Sequence, residues 1–150
     1  MEEGEAPEIN QIEVHPYLQQ NELIKFCQSN KIEVTACSVM GTHNYKSPYI
    51  DTTTPDTPKI LEDATILKIA QAHKASPAQV LLKWNMSRGC SVLCRTSKES
   101  EMKEDLESLK LELSQCDIDA INHISIKHRY WDLKFLAGPG HTVEEIFDEV

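Results

Sequence analysis

Three short runs with strand character, each followed by a helical pattern, limit the folds open to this chain more than any other feature. In "EINQIEVH", Ile12 and Val14 point one way while Gln11, Glu13 and His15 point the other. "LQQNELIKFCQSNK" then sets Leu23, Ile24 and Cys27 at helical spacing, with Asn30 as its stop. "IEVTACSVMG" is a second strand with Ile32, Val34 and Ala36 on one face, closed by Gly41. "CSVLC" is a third. Strands alternating with helices predict parallel βαβ units.

Between these runs the helix signals are local and chemical. "ILEDATILKIAQAHKA" offers Asp63 as a cap and Ile66, Ile69 and Ala70 as a buried stripe. "SPAQVLLKWNMSRG" carries Ser76 as N-cap, Pro77 at the first helical position, Gln79 to complete a capping box, and Gly89 as the stop. "KESEMKEDLESL" repeats Met102, Leu106 and Leu109 at i, i+4, i+7, and "LSQCDIDAINHI" is capped by Ser114 with Asp117. A long loop from Thr42 to Pro58 holds three prolines and five threonines, and a loop of that length is usually functional or mobile. The tail, residues 129–150, has no period.

The polar strand face separates the parallel architectures. An open doubly wound sheet meets helices on both sides and wants apolar residues on both. Gln11, Glu13 and His15 on one face suit either the polar end of a barrel interior or an edge strand with one wet face.

Composition excludes several classes. The 150 residues carry a net charge of −9, which argues against a nucleic-acid or anionic-membrane partner. The apolar runs are too short for a transmembrane helix, and "MEEGEAPE" lacks the basic start of a signal peptide. Five cysteines without a Cys-x-x-Cys pair fit free thiols in a reducing cytoplasm. Cys90, Cys94 and a histidine lack the paired spacing of a zinc site, and no metal is expected.

The run "NQIEVHPYLQQNELIKFCQSNKIEVTACSVMG" resembles the aldo-keto reductases, as do "SPAQVLLKWNMSRG" and "SVLCRTSKESEMKEDL" further on; the likeness runs in order from Asn10 to Ile124. It implies the C-terminal part, strands six to eight with their helices, of a (β/α)8 TIM barrel, making residues 1–150 a partial oxidoreductase domain. A full barrel needs about 250 residues. The implied activity is hydride transfer between NADP and a small carbonyl or alcohol substrate. The family's catalytic residues belong to its first half, and no segment here matches the motifs that carry them. No catalytic residue is therefore assigned, and this chain alone is expected to be inactive: a fragment of an enzyme, or a truncated non-catalytic binding or structural module. The resemblance also makes residues 129–150 the counterpart of the family's C-terminal specificity loop.

The same resemblance assigns cofactor positions. Gln11 would hold the nicotinamide carboxamide, Ser38, Met40 and Thr42 would surround the pyrophosphate, and Arg95, Thr96 and Ser97 would face the adenosine phosphate. Three substitutions work against NADP and toward weaker binding or NAD: Cys37 replaces a stacking tyrosine, Glu101 an arginine, and Asp105 an asparagine. Against these stands a bland alternative, since acidic residues in a first turn stabilise any helix through its dipole. Three strands leave open edges, so self-association or a covering partner is expected.

Overall fold

The computed structural model describes residues 5–41, 56–131 and 138–141. Most of the long loop, with Thr42, lies outside these residues, as does most of the tail. Three parallel strands, β1 (Ile9–Glu13), β2 (Glu33–Cys37) and β3 (Ser91–Val92), form one sheet in the order β1-β2-β3. Helix α1 (Asn21–Ser29) links the first two strands; α2 (Ala64–His73) and α3 (Pro77–Ser87) link the second to the third. Beyond β3 come α4 (Glu99–Glu107) and α5 (Gln115–Asn122), with short 3-10 turns at Ile60–Glu62 and Ser108–Lys110.

The register sets Gln11 beside Thr35 and Thr35 beside Ser91, so the three side chains share one face of the sheet. Ile12, Ala36 and Val92 align on the other face. That second face carries the core: Val14, Val34 and Ala36 pack with Ile24, Cys27, Ile66, Ile69, Val80, Leu81 and Trp84 of the helices. The first face is wet over much of its area, with Ile9, Gln11, Glu33, Ser91 and Leu93 all exposed. Parallel sheets are normally covered on both faces, and here the described helices cover one.

The caps hold the connections in place. Asp63 accepts from the N–H groups of Thr65 and Ile66 at 2.8 and 3.3 Å, and its second oxygen takes the Tyr17 hydroxyl at 3.0 Å. Ser76 with Gln79, and Ser114 with Asp117, form full capping boxes. Arg88 stacks 4.4 Å over the Trp84 ring and donates to Asn21 Oδ1 at 2.7 Å, tying the end of α3 to the start of α1.

Helix α4 departs from expectation. Its apolar triplet Met102, Leu106 and Leu109 is 47, 66 and 61% exposed. The helix docks through its opposite, polar side, where Glu101, Glu104 and Asp105 are half-buried and Ser108 is buried. The Gln79 amide donates to the Glu104 carbonyl at 2.9 Å, and the Asp105 carboxylate takes the Cys94 thiol. Helical spacing reports which residues share a face; it does not say that a neighbour will cover it.

Candidate functional site

In a parallel α/β sheet the ligand-facing end is the carboxyl end of the strands. Glu13 and Cys37 are register partners at the ends of β1 and β2, and the Leu93 N–H extends the ladder to Ala36 O at 3.0 Å beside them. Six of the seven predicted cofactor residues are described. Ser38 and Met40 follow β2 directly, and Arg95, Thr96 and Ser97 follow β3. Gln11 lies within β1, two residues before its end and exposed. Topology therefore brings Ser38, Met40, Arg95, Thr96 and Ser97 to the carboxyl end of the sheet, with Gln11 on its polar face, and Thr42 falls outside the described residues.

Beyond β3, Thr96 and Lys98 find partners within the chain. The Thr96 hydroxyl donates to Glu101, and Lys98 Nζ reaches the other Glu101 oxygen at 2.7 Å. The Lys98 backbone N–H donates to Thr96 Oγ1 at 3.0 Å. Lys98 and Thr96 together hold the Glu101 carboxyl below the usual carboxylate range, and Glu101 holds the Lys98 ammonium above its ordinary value. A hydroxyl and an ammonium here already serve an anion, and that anion is Glu101.

The end of β2 is also engaged. Ser38 adopts φ 52°, a left-handed conformation that a serine holds only under local constraint, and its carbonyl accepts the Gly41 N–H at 2.8 Å. Its hydroxyl oxygen accepts the Trp131 indole N–H at 2.6 Å. Burial, followed by the charge of Glu13, pushes the neighbouring Cys37 thiol up, and contact with the Ser38 hydroxyl partly offsets that rise.

A third group was not foreseen. Glu13 is buried, and its carboxylate gathers His15 Nε2 at 2.9 Å, the Tyr130 backbone N–H at 2.7 Å and the Trp131 backbone N–H at 3.1 Å. His15 is fully buried, with its ring edge-on to Tyr130 at 4.9 Å. Tyr130 in turn donates its hydroxyl to Pro58 O at 2.7 Å; burial first, with the charge of Glu13, lifts its own pKa to about 12, and a backbone contact at Ile60 partly offsets that rise. The inner part of the polar strand face is thus roofed by residues 128–131. The signal available was the aromatic pair Tyr130 and Trp131 in an otherwise aperiodic tail.

Among the described residues, no three His, Cys, Asp or Glu side chains gather as a metal site, and no helix is long and apolar enough to cross a membrane.

The profile of the aldo/keto reductase family matches residues 2–126. Aldo-keto reductase family 1 member C1 of Macaca fuscata fuscata is 35% identical over 133 residues, which is 89% of this chain and 40% of that protein. Member C2 of Homo sapiens is 33% identical over the same length, and member C15 of Rattus norvegicus 35% identical over 129 residues. The chain therefore spans about two fifths of the length of these relatives. It belongs to the aldo/keto reductase family, oxidoreductases that generally use NAD(P)H.

Proposed function

We propose that this chain supplies the cofactor-side part of an aldo/keto reductase barrel, strands six to eight with their helices, and contributes to a dinucleotide site rather than to the reacting groups. The observation that carries this reading is the one-sided sheet: its apolar face is packed with helices, while its polar face, with Gln11, Thr35 and Ser91 in register, stays open as a barrel interior would. Gln11 would hold the carboxamide of a nicotinamide ring, since an amide donates and accepts in one plane. Ser38 and Met40 would lie beside the pyrophosphate, with Thr42 in the same role. Arg95, Thr96 and Ser97 would face the adenosine end. The bound cofactor would supply hydride for a carbonyl substrate, while these residues would only orient it.

The Glu101 pairing supports weak NADP binding, or a preference for NAD, whose ribose hydroxyls a carboxylate can accept. The open face and edges support self-association or a covering partner. The same features support a second reading, a non-catalytic module derived from the fold, because no catalytic group is assigned in this chain. Titration of the purified chain with NADPH and NADH, followed by an NADPH-dependent aldehyde reduction assay, tests both. Weak binding without turnover is expected; tight, NADPH-preferring binding with turnover would overturn the reading. Size-exclusion chromatography should give an assembly larger than a monomer, and a monodisperse, cooperatively melting monomer would contradict it.

A further inference from the structure

The residue that has no role in the reading above is Trp131. An indole N–H is a donor only, so in the 2.6 Å contact the Ser38 oxygen must accept. While this contact holds, the indole occupies a side of the Ser38 hydroxyl that a pyrophosphate would have to reach. The ring itself is half-buried against the same end of β2.

Trp131 is also not free to drift. Its backbone N–H and that of Tyr130 are both held by the buried Glu13 carboxylate. Tyr130 is buried, fills the space over Gly41 and bonds Pro58 O. The anchors are the two backbone N–H groups and the Tyr130 side chain, and the contact is made by the Trp131 indole. Tyr130 fixes the segment, while Trp131 projects its indole onto the hydroxyl that the dinucleotide reading assigns to the ligand.

We propose that Trp131 is a built-in competitor for the dinucleotide: its indole covers Ser38 and must move aside before a pyrophosphate can take that hydroxyl. The idea rests on the assignment of Ser38 to the cofactor. It makes the chain's affinity for a dinucleotide depend on a residue outside the sheet, in a segment whose sequence has no helical or strand period.

The test is calorimetric titration of NADP and NAD into the full chain and its Trp131→Phe and Trp131→Ala variants. Trp131→Phe keeps an aromatic ring and removes the N–H, while the Glu13 and Tyr130 anchors stay. Relief of one competing hydrogen bond should tighten binding about fivefold in Trp131→Phe, and Trp131→Ala should match or exceed it. The indole ¹⁵N–¹H signals give a second readout. Trp84 is buried and bonded to Asn122 Oδ1 at 3.0 Å. Nucleotide should therefore shift the Trp131 signal of the unaltered chain and leave that of Trp84. Equal affinity in all three proteins would overturn the competitor role and leave the cofactor assignment standing. Weaker binding in the variants would make Trp131 a ligand platform, which also overturns it. No binding by any of the three would remove the cofactor assignment itself, and the competitor with it.

Discussion

The carboxylate of Glu13 holds the backbone N–H of Tyr130 at 2.7 Å across a separation of 117 residues. Two further donors, His15 Nε2 and the Trp131 N–H, converge on the same buried group. Removing it strands all three in a dry site. Glu13→Ala should therefore lower stability by about 2–4 kcal/mol, and Glu13→Gln, which keeps one acceptor oxygen, by about half that. Urea unfolding measures both. Equal midpoints for Glu13→Ala and the unaltered chain would mean that the tail is not held by this group.

Glu101 satisfies Thr96 and Lys98 from within, so its neutral isostere should release both. Glu101→Gln is expected to raise the ratio of NADP to NAD affinity severalfold. The effect should fade with added salt, because the groups are solvent-facing and screened. An unchanged ratio at low salt would show that this carboxylate does not oppose the phosphate.

Gly41 sits at φ +73°, and a Cβ added there would lie 2.8 Å from Tyr130 Cζ. Gly41→Ala combines a left-handed backbone cost of about 1–2 kcal/mol with displacement of a buried ring. Its melting temperature should fall, and the Trp131 emission should shift red as the segment lifts. A loss of stability with unchanged emission would confine the effect to the backbone.

These predictions divide along a line the amino-acid sequence itself draws. The caps at Asp63, Ser76 and Ser114 were legible because each joins a side chain to a backbone N–H two or three residues away. The βαβ order and the apolar face of Ile32, Val34 and Ala36 were legible from period alone. The polar strand face was visible too, yet its inner roof was not, because Glu13 finds its partners more than a hundred residues later. Nor did spacing reveal that α4 would turn Glu104 and Ser108 inward and leave Leu106 outside. The candidate hydroxyls of Ser38 and Thr96 could be named from the sequence; their engagement by Trp131 and Glu101 is a tertiary and a side-chain event respectively.

Asp117 gives the fold an acid-sensitive joint. Its carboxylate accepts from the Ser114 N–H at 2.9 Å and the Ser114 hydroxyl at 2.6 Å, and it meets His73 Nε2 at 2.9 Å. Ser114 first, and then His73, holds the carboxyl below its usual range. A depressed carboxylate contributes stability that is present above its unfolded value and lost as pH falls through the folded one. Stability should therefore decline below about pH 4, and Asp117→Asn should be less stable at neutral pH with a flatter acid limb. A variant whose acid limb overlays that of the unaltered chain would contradict this.

The segment around Tyr130 and Trp131 should show its own pH dependence, in a higher window. Burial first, and then the neighbouring His15, holds the His128 ring below the ordinary histidine value, while Glu13 pulls the other way. The groups facing it are His15, Glu13 and the Tyr130 ring, whose centroid lies 4.6 Å away, with its backbone N–H on Tyr17 O at 3.1 Å. A depressed histidine is kept neutral by the fold, so the unfolded segment binds the proton more readily. Its contribution is present above the unfolded value, near pH 6.5, and is lost as pH falls from there toward the folded value. Amide exchange at Tyr130 and Trp131, corrected for intrinsic rate, should thus accelerate between about pH 7 and pH 5. His128→Phe keeps a ring against Tyr130 without a titrating nitrogen, and should flatten that rise. If the acceleration persists unchanged in His128→Phe, protonation of His128 is not what loosens the segment.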